Sequence, residues 1–366
     1  MKGFGSKVTE ILRTEGAASV VDRTQRYLRY RLKRARVDPR PAIEDWESLR
    51  GSCQGRRAFV LGNGPSLNQT ELHLLRDEVT MCFNRFDLML ERLHWVPTYY
   101  TTIDDRVLED TLDVANEMSR LVDHAFFPDI HPYCVDFRDG LVKRPNVHWL
   151  FLDRASFSDE LPYCGINKTV ANVGLQILAF LGFTELNLIG MDMTYSLPAG
   201  AVVDGSRDVT STADDDESHF DPRYFGKGRR FHVPLLDETF AKFREARGFF
   251  EERGVRIRNA TVGGALEEFP RVAMNDILGF DDDRRSQLFV ETVEGKMVRP
   301  GLDVLDAVKS ARELGAEDPV PDRCEVFRVP AARASRVIHD RIFDFVPFGP
   351  FEGNTLFVRR RLLRSS

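Results

Sequence analysis

The chain has 366 residues, 42% of them hydrophobic and 30% charged, with a formal net charge of −6. That balance fits a globular protein of two domains, or of one large domain with appendages, and argues against general nucleic-acid binding. No apolar run approaches the length of a membrane span, and the N-terminal MKGFGSKVTEILRTEG lacks the continuous apolar core of a signal peptide, so a cytoplasmic location is expected.

Residues 1–44 read as a helical leader, broken by Pro39 and Pro41. Within it, RTQRYLRYRLKRAR (23–36) carries seven basic side chains, Arg23, Arg26, Arg29, Arg31, Lys33, Arg34 and Arg36, and no acid. Tyr27, Leu28, Tyr30 and Leu32 interleave with them. Such a helix suits peripheral contact at the inner face of the cell membrane, or the protein's own acidic surface, and both readings stand open here.

From residue 56 the pattern changes to short apolar runs separated by turns and helix-length segments. Strands are expected at 57–61, 79–83, 98–103, 124–127, 147–152 and 186–189, with another at 255–257. Helices are expected at 169–182, where Val170, Val173, Ile177, Leu178 and Leu181 form one apolar stripe, and at about 236–252. Alternating strands and helices indicate an α/β class: a Rossmann-like parallel sheet flanked by helices over residues 45–275. Residues 199–234 read as a long functional loop, with an acidic run at 214–217 followed by SHFDPRYFGKGRRFHVP. Residues 276–366 form a small C-terminal extension, with strands expected at 325–329 and 355–359. Five scattered cysteines with no C-x-x-C pair give no zinc site or disulfide framework.

In an open parallel sheet, ligands bind beyond the carboxyl ends of the strands. That rule gathers Gly62, Asn63, Gly64, Pro65 and Ser66, then Asn84, Asp104 and Asp105, and finally Gly190 and Asp192. Thr169, at a helix start, joins them. The first loop fits neither the dinucleotide fingerprint nor the P-loop, because Leu67 replaces a third glycine and no G-K-[ST] follows. Gly62 and Gly64 would let backbone N–H groups approach an anion, and Asn63 and Asn84 would meet ribose or base edges. Lys227, Arg229 and Arg230 would close over the phosphate. Each residue also has a plain reading: a Gly-Pro turn, a helix cap, a solvated turn carboxylate. Their convergence at five element ends is what argues for a site.

The stretches L-G-N-G-P-S-L (61–67), C-F-N-R-F (82–86) and T-V-A-N-V-G-L-Q-I-L-A-F-L-G-F-T-E-L-N-L-I-G-M-D (169–192) resemble the bacterial lipooligosaccharide sialyltransferases of glycosyltransferase family 42. They equally resemble the related superfamily of motility-associated flagellin glycosylation factors and the MptE-like 6-hydroxymethylpterin diphosphokinase domain. HFDPRYFGKGRRFHVP and N-A-T-V-G-G-A-L-E-E-F-P-R-V look like the close of that domain in polysaccharide-locus members. The resemblance spans about residues 45–275.

It implies a glycosyltransferase of cell-surface polysaccharide biosynthesis, with a nucleotide-sugar donor, CMP-linked in the sialyltransferases, a glycan or glycolipid acceptor and no required cofactor. Asn63 and Asn84 then match donor contacts, and Tyr195 lies near the position that steadies the donor phosphate. The family's general base is the second histidine of H-Y-x-G-H. Here that stretch reads Arg223-Tyr224-Phe225-Gly226-Lys227, and a lysine with an ordinary pKa near ~10.4 is a poor base at neutral pH. His219 or His232 could serve in its place, His219 being the choice, with Tyr224 and Lys227 beside it. The diphosphokinase branch implies instead ATP and Mg²⁺ held by Asp104, Asp105 and Asp192, with the acidic run at 214–217 a weaker candidate. A third reading is a non-catalytic nucleotide-binding factor for surface glycan assembly.

Overall fold

The structure is a computed structural model that describes residues 12–13, 16–93, 95–131, 134–197, 201–204 and 208–279, and the C-terminal segments 290–291, 297–298, 326–330, 345–351 and 354–359. The chain divides into two compact units. One comprises Met1–Thr70, Glu78–Arg92 and Val96–Arg271, the other Glu71–Asp77, Leu93–Trp95 and Val272–Ser366.

The first unit is built on a seven-stranded parallel sheet of order β10-β6-β1-β2-β3-β4-β5. Its strands are β1 (Arg57–Leu61), β2 (Thr80–Phe83), β3 (Tyr99–Thr101), β4 (His124–Pro128), β5 (Val147–Leu150), β6 (Glu185–Ile189) and β10 (Arg256–Asn259). The helices, in chain order, are α1 (Gly16–Arg34), α2 (Arg40–Leu49), α3 (Asp87–Leu93), α4 (Asp105–Asp110), α5 (Leu112–Leu121), α6 (Phe137–Gly140), α7 (Val170–Phe180) and α8 (Leu236–Glu251). The expected Rossmann-like α/β class is what the chain forms. None of the helices among the described residues is long and apolar enough to cross a membrane.

The strand order positions the site. The chain starts in the middle of the sheet at β1, runs outward through β2 to β5, then returns to lay β6 on the other side of β1, pairing Arg57 with Glu185 through to Leu61 with Ile189. The loops after β1 and β6 therefore leave the same sheet edge at the point where the winding reverses, which opens a crevice between them. The central strands bury both faces, so they read as continuous apolar runs rather than alternating ones.

Helix α7 packs over β1 and β2. Gly174 makes this possible, since a Cβ there would lie 2.7 Å from the Phe83 ring. A mid-helix glycine costs about 1 kcal/mol relative to alanine, so the close approach offsets a local penalty. The stripe residues Val173, Ile177 and Leu178 are fully buried with Val60, Met81 and Leu188. The buried polar positions of α7 hold the loop that precedes it. Gln176 Oε1 accepts from the amides of Ser158 (3.0 Å) and Gly165 (3.3 Å), its Nε2 donates to the Gly165 carbonyl (2.9 Å), and Asn172 donates to the Asn167 carbonyl (2.8 Å). Leaving such groups unpaired inside the core would cost about 1–3 kcal/mol each.

One expectation changes on folding, and one of two open readings finds partners. Residues 199–234 contain a small antiparallel sheet, β7 (Val202–Asp204), β8 (Asp208–Thr210) and β9 (Arg230–His232), where one long loop was expected. Val209 and Phe231 are its buried residues, and Phe231 stacks on Phe225 at 4.3 Å. The basic helix α1 docks on the domain's own acids. Tyr30 donates to Asp153 (2.6 Å), Arg34 to Asp153 (3.1 Å), and Lys33 to Asp139 (2.7 Å) and Asp136 (3.3 Å).

In the second unit, β11 (Val290–Glu291) and β12 (Met297–Val298) pair antiparallel, and β13 (Val326–Pro330), β14 (Phe345–Phe351) and β15 (Asn354–Arg359) form a sheet of order β13-β15-β14. The strands expected at 325–329 and 355–359 correspond to β13 and β15.

Candidate functional site

The loop after β1 is fixed by its neighbours before any ligand is considered. The Gly62 amide donates to the Ile189 carbonyl (2.7 Å) and the Gly64 amide to the Gly190 carbonyl (2.9 Å). Asp192 accepts from the Ser66 amide (3.1 Å) and hydroxyl (2.7 Å). The two glycines thus do not hold out their N–H groups to an anion, as the sequence suggested. Their role is contact: a Cβ on Gly62 would overlap the Gly190 carbonyl, and one on Gly64 would overlap the Asp192 carboxylate. The G-N-G-P-S and I-G-M-D segments are one interlocked pair of loops.

A third loop buttresses them. The Met191 amide donates to the Thr261 hydroxyl (3.0 Å), and the Ala265 amide to the Asp192 carbonyl (2.6 Å). Gly264 has φ +74°, and a Cβ there would lie 2.8 Å from the Asp192 carbonyl oxygen. The N-A-T-V-G-G-A stretch after β10 is therefore support for the site and stays out of its walls.

Above these loops lies a cavity of about 220 Å³. It brings together Gly62, Asn63 and Gly64 from β1, Asn84 from β2, Thr169 from the start of α7, Gly190, Asp192 and Tyr195 after β6, and His219 and Tyr224 from the segment before β9. Pro65, Ser66, Asp104, Asp105 and Lys227 are not among its walls. Lys227 is exposed, and its amide donates to Asp214 (2.8 Å). Arg229 donates to the Asp110 carbonyl, and Arg230 pairs with Asp110 and Glu109, so neither closes over the cavity. Asp104 accepts from the amides of Arg106 (3.0 Å) and Val107 (3.2 Å) as the N-cap of α4, and Asp105 lies 3.3 Å from His232. Among the described residues, no group of three His, Cys, Asp or Glu side chains is arranged to hold a metal.

Among the described residues, four that are not glycine adopt left-handed backbone conformations: Asn84 (φ 50°), Asn167 (49°), Lys168 (72°) and Met193 (55°). Three of them line the cavity. Such conformations cost of order 1–3 kcal/mol each and cluster at functional sites, where the surrounding structure enforces them. At Asn84, the Tyr100 hydroxyl donates to its carbonyl (2.7 Å) and the Thr102 hydroxyl to its Oδ1 (2.9 Å).

Two residues that line the cavity each carry a buried polar atom with no partner: Asn63 Oδ1 and the Tyr195 hydroxyl. Burial, reinforced by Asp216, pushes the Tyr195 hydroxyl above its ordinary pKa, which keeps it a hydrogen-bond donor at neutral pH. Buried polar groups are normally hydrogen-bonded, so an unmet acceptor and an unmet donor on two lining residues mark the cavity as a candidate ligand site. Lys168 brings a cation to the same walls, paired with Glu238 at the rim, beside the N-terminus of α7 that Thr169 caps.

The segment 216–225 forms the opposite wall. The Phe220 amide donates to the Asn63 carbonyl (3.0 Å), and Asn68 donates to the Phe220 carbonyl (2.9 Å). His219 Nδ1 lies 2.8 Å from Asp216 Oδ2. Asp216 is 3% exposed and also accepts the amides of Ser218 (2.9 Å) and Phe225 (3.2 Å). The imidazole stacks on Tyr224, centroids 3.9 Å apart and planes 4° from parallel. Tyr224 is bonded to the Asn84 side chain, and burial pushes its hydroxyl above the ordinary range. The sequence reading named the 214–217 run only as a weaker metal candidate and did not foresee that Asp216 holds His219, and it did not name Lys168, which adjoins the cap residue Thr169.

Residues 40–197, less than half of the chain, match the model of a family described as 6-hydroxymethylpterin diphosphokinase MptE-like. Over those residues the chain is similar to that family, as the resemblance led one to expect. Among solved structures it is similar to the MAf glycosyltransferase from Magnetospirillum magneticum AMB-1, at 19% identity and a TM-score of 0.39. That likeness covers 63% of this chain and 37% of the other, so the chain spans little more than a third of that protein's length. No curated protein matches the chain.

Proposed function

We propose that the MptE-like domain, completed by the segment 216–225, is a glycosyltransferase for a nucleotide-activated sugar in surface glycan synthesis. The observation that carries this reading is the His219–Asp216 pair in the wall of a cavity whose Asn63 and Tyr195 atoms await partners. With Nδ1 held by Asp216, His219 presents Nε2 as the base for an acceptor hydroxyl. The hydroxyl oxygen attacks the anomeric carbon, its proton passes to Nε2, and the carbon–oxygen bond to the donor phosphate breaks with its electron pair leaving on the phosphate. Lys168 and the N-terminus of α7 offset that charge. A positioned base of this kind contributes on the order of 10²–10⁴ in rate. The cavity is smaller than the roughly 300–1,000 Å³ clefts that enclose drug-sized ligands, so it suits the nucleotide part of a donor, with the sugar projecting toward His219.

Incubation with CMP-, UDP- and GDP-sugars tests this by release of free nucleotide. The reading expects one class to be turned over and His219→Ala to abolish it. Turnover unchanged in His219→Ala would overturn it.

The description of the matched family favours a second reading, diphosphate transfer from ATP. That chemistry needs Mg²⁺, yet Asp192 is bonded to Ser66, Asp104 caps α4 and Asp105 faces His232, and only Asp192 lines the cavity. These three carboxylates do not fit a shared metal.

A further inference from the structure

Among the described residues, helix α1 contacts the fold through one of its faces. Tyr30 packs with Ile130 and Val135, and Arg34 and Lys33 reach the domain's aspartates from the same side. At 3.6 residues per turn, Val21, Leu28 and Leu32 fall on the opposite side, seven and then four residues apart. They are 55%, 54% and 62% exposed. Arg31 is exposed beside this stripe and Arg36 is exposed in the turn after the helix, and neither is paired with a carboxylate among the described residues. Arg29, on the other flank, pairs among the described residues with the exposed Asp136. The stretch 23–36 contains no acid, although the whole chain carries −6.

We propose that this outer face seats the protein on an anionic phospholipid bilayer, with the inner-face ion pairs carrying the domain. An aliphatic stripe flanked by arginines matches both layers of a membrane interface. Valine and leucine side chains enter the acyl boundary while guanidinium groups meet headgroup phosphates. A protein partner would have to supply an apolar groove rimmed by acids, whereas an anionic membrane supplies both elements everywhere. The inference goes beyond the reaction and does not depend on it.

Co-sedimentation of the full chain with vesicles tests it. Phosphatidylcholine vesicles containing phosphatidylglycerol should bind the protein, phosphatidylcholine alone should not, and added salt should weaken binding. Leu28→Glu with Leu32→Glu should lower the partition coefficient by about tenfold or more, and Arg31→Glu with Arg36→Glu should weaken it as well. All four side chains are exposed, so both double variants should keep the wild-type melting temperature. Failure of the folded wild type to bind phosphatidylglycerol vesicles would overturn the proposal, as would equal binding by the leucine variant. A wild-type dimer in sedimentation velocity that the leucine variant dissolves, with vesicle binding unchanged, would assign the face to a second copy and overturn it too.

Discussion

His219 Nδ1 lies 2.8 Å from Asp216 Oδ2, three residues earlier in the chain, and Asp216 is itself held by the amides of Ser218 and Phe225. The carboxylate is fixed independently of the imidazole, so it sets the ring's orientation. Asp216→Asn should therefore leave nucleotide binding intact while lowering donor turnover by about 10²-fold and altering its pH–rate profile. Steady-state turnover across pH, beside a nucleotide-induced melting shift, measures both parts. An unchanged profile would remove the positioning role.

Asn63 and Asn84 share the cavity but differ in what they do for the fold. Asn63 Oδ1 has no partner, whereas Asn84 is bonded through Thr102 and Tyr100. Asn63→Ala should change stability by less than about 0.5 kcal/mol and abolish nucleotide stabilisation. Asn84→Ala should cost about 1–2 kcal/mol in the absence of ligand. Urea unfolding with and without nucleotide separates the two.

The glycines are expected to matter for stability. At Gly64 an added methyl overlaps the Asp192 carboxylate and strains its hydrogen bonds to Ser66. Gly64→Ala should lose about 1–3 kcal/mol by overpacking, read as a lower urea midpoint with an unchanged slope.

His131 gives a signature in pH. It is 3% exposed, and burial pushes its imidazole down to about 4, opposed by Asp105 and by a bond to the Ile103 backbone. An unfolded histidine titrates near ~6.5, so between these values the unfolded chain binds a proton that the native state refuses. Stability is then full above about pH 6.5, falls as pH drops toward 4, and levels below that, for a loss of roughly 3 kcal/mol. Melting of wild type and His131→Gln at matched pH should converge above pH 6.5 and diverge below it, the variant being flatter.

Much of the fold was legible because its central strands and α7 are buried on more than one side. Arg57–Leu61 and Leu236–Glu251 appear almost as read, and the end of α7 at Phe180 falls two residues short of the expected 182. What escaped was pairing between residues far apart in the chain. Arg230 looked free to meet a phosphate until Asp110, 120 residues earlier, proved to hold it. Gly62 and Gly64 looked like an anion cradle because nothing in their own segment reveals the carbonyls of Ile189 and Gly190. The pairing of Asp216 with His219 escaped for a different reason. Asp214 and Glu217 beside it are exposed, and the turn that buries Asp216 has no periodicity to read.

The central claim is that the cavity between the β1 and β6 loops holds the nucleotide of a sugar donor. Its most direct test is the melting temperature of the wild type and Asn63→Ala with CMP, UDP, GDP and ATP, each with and without Mg²⁺. The account predicts that one of the glycosyl-donor nucleotides, CMP, UDP or GDP, raises the wild-type melting temperature without metal, and that Asn63→Ala removes the shift. Stabilisation by ATP only in the presence of Mg²⁺, or by no nucleotide at all, would contradict it.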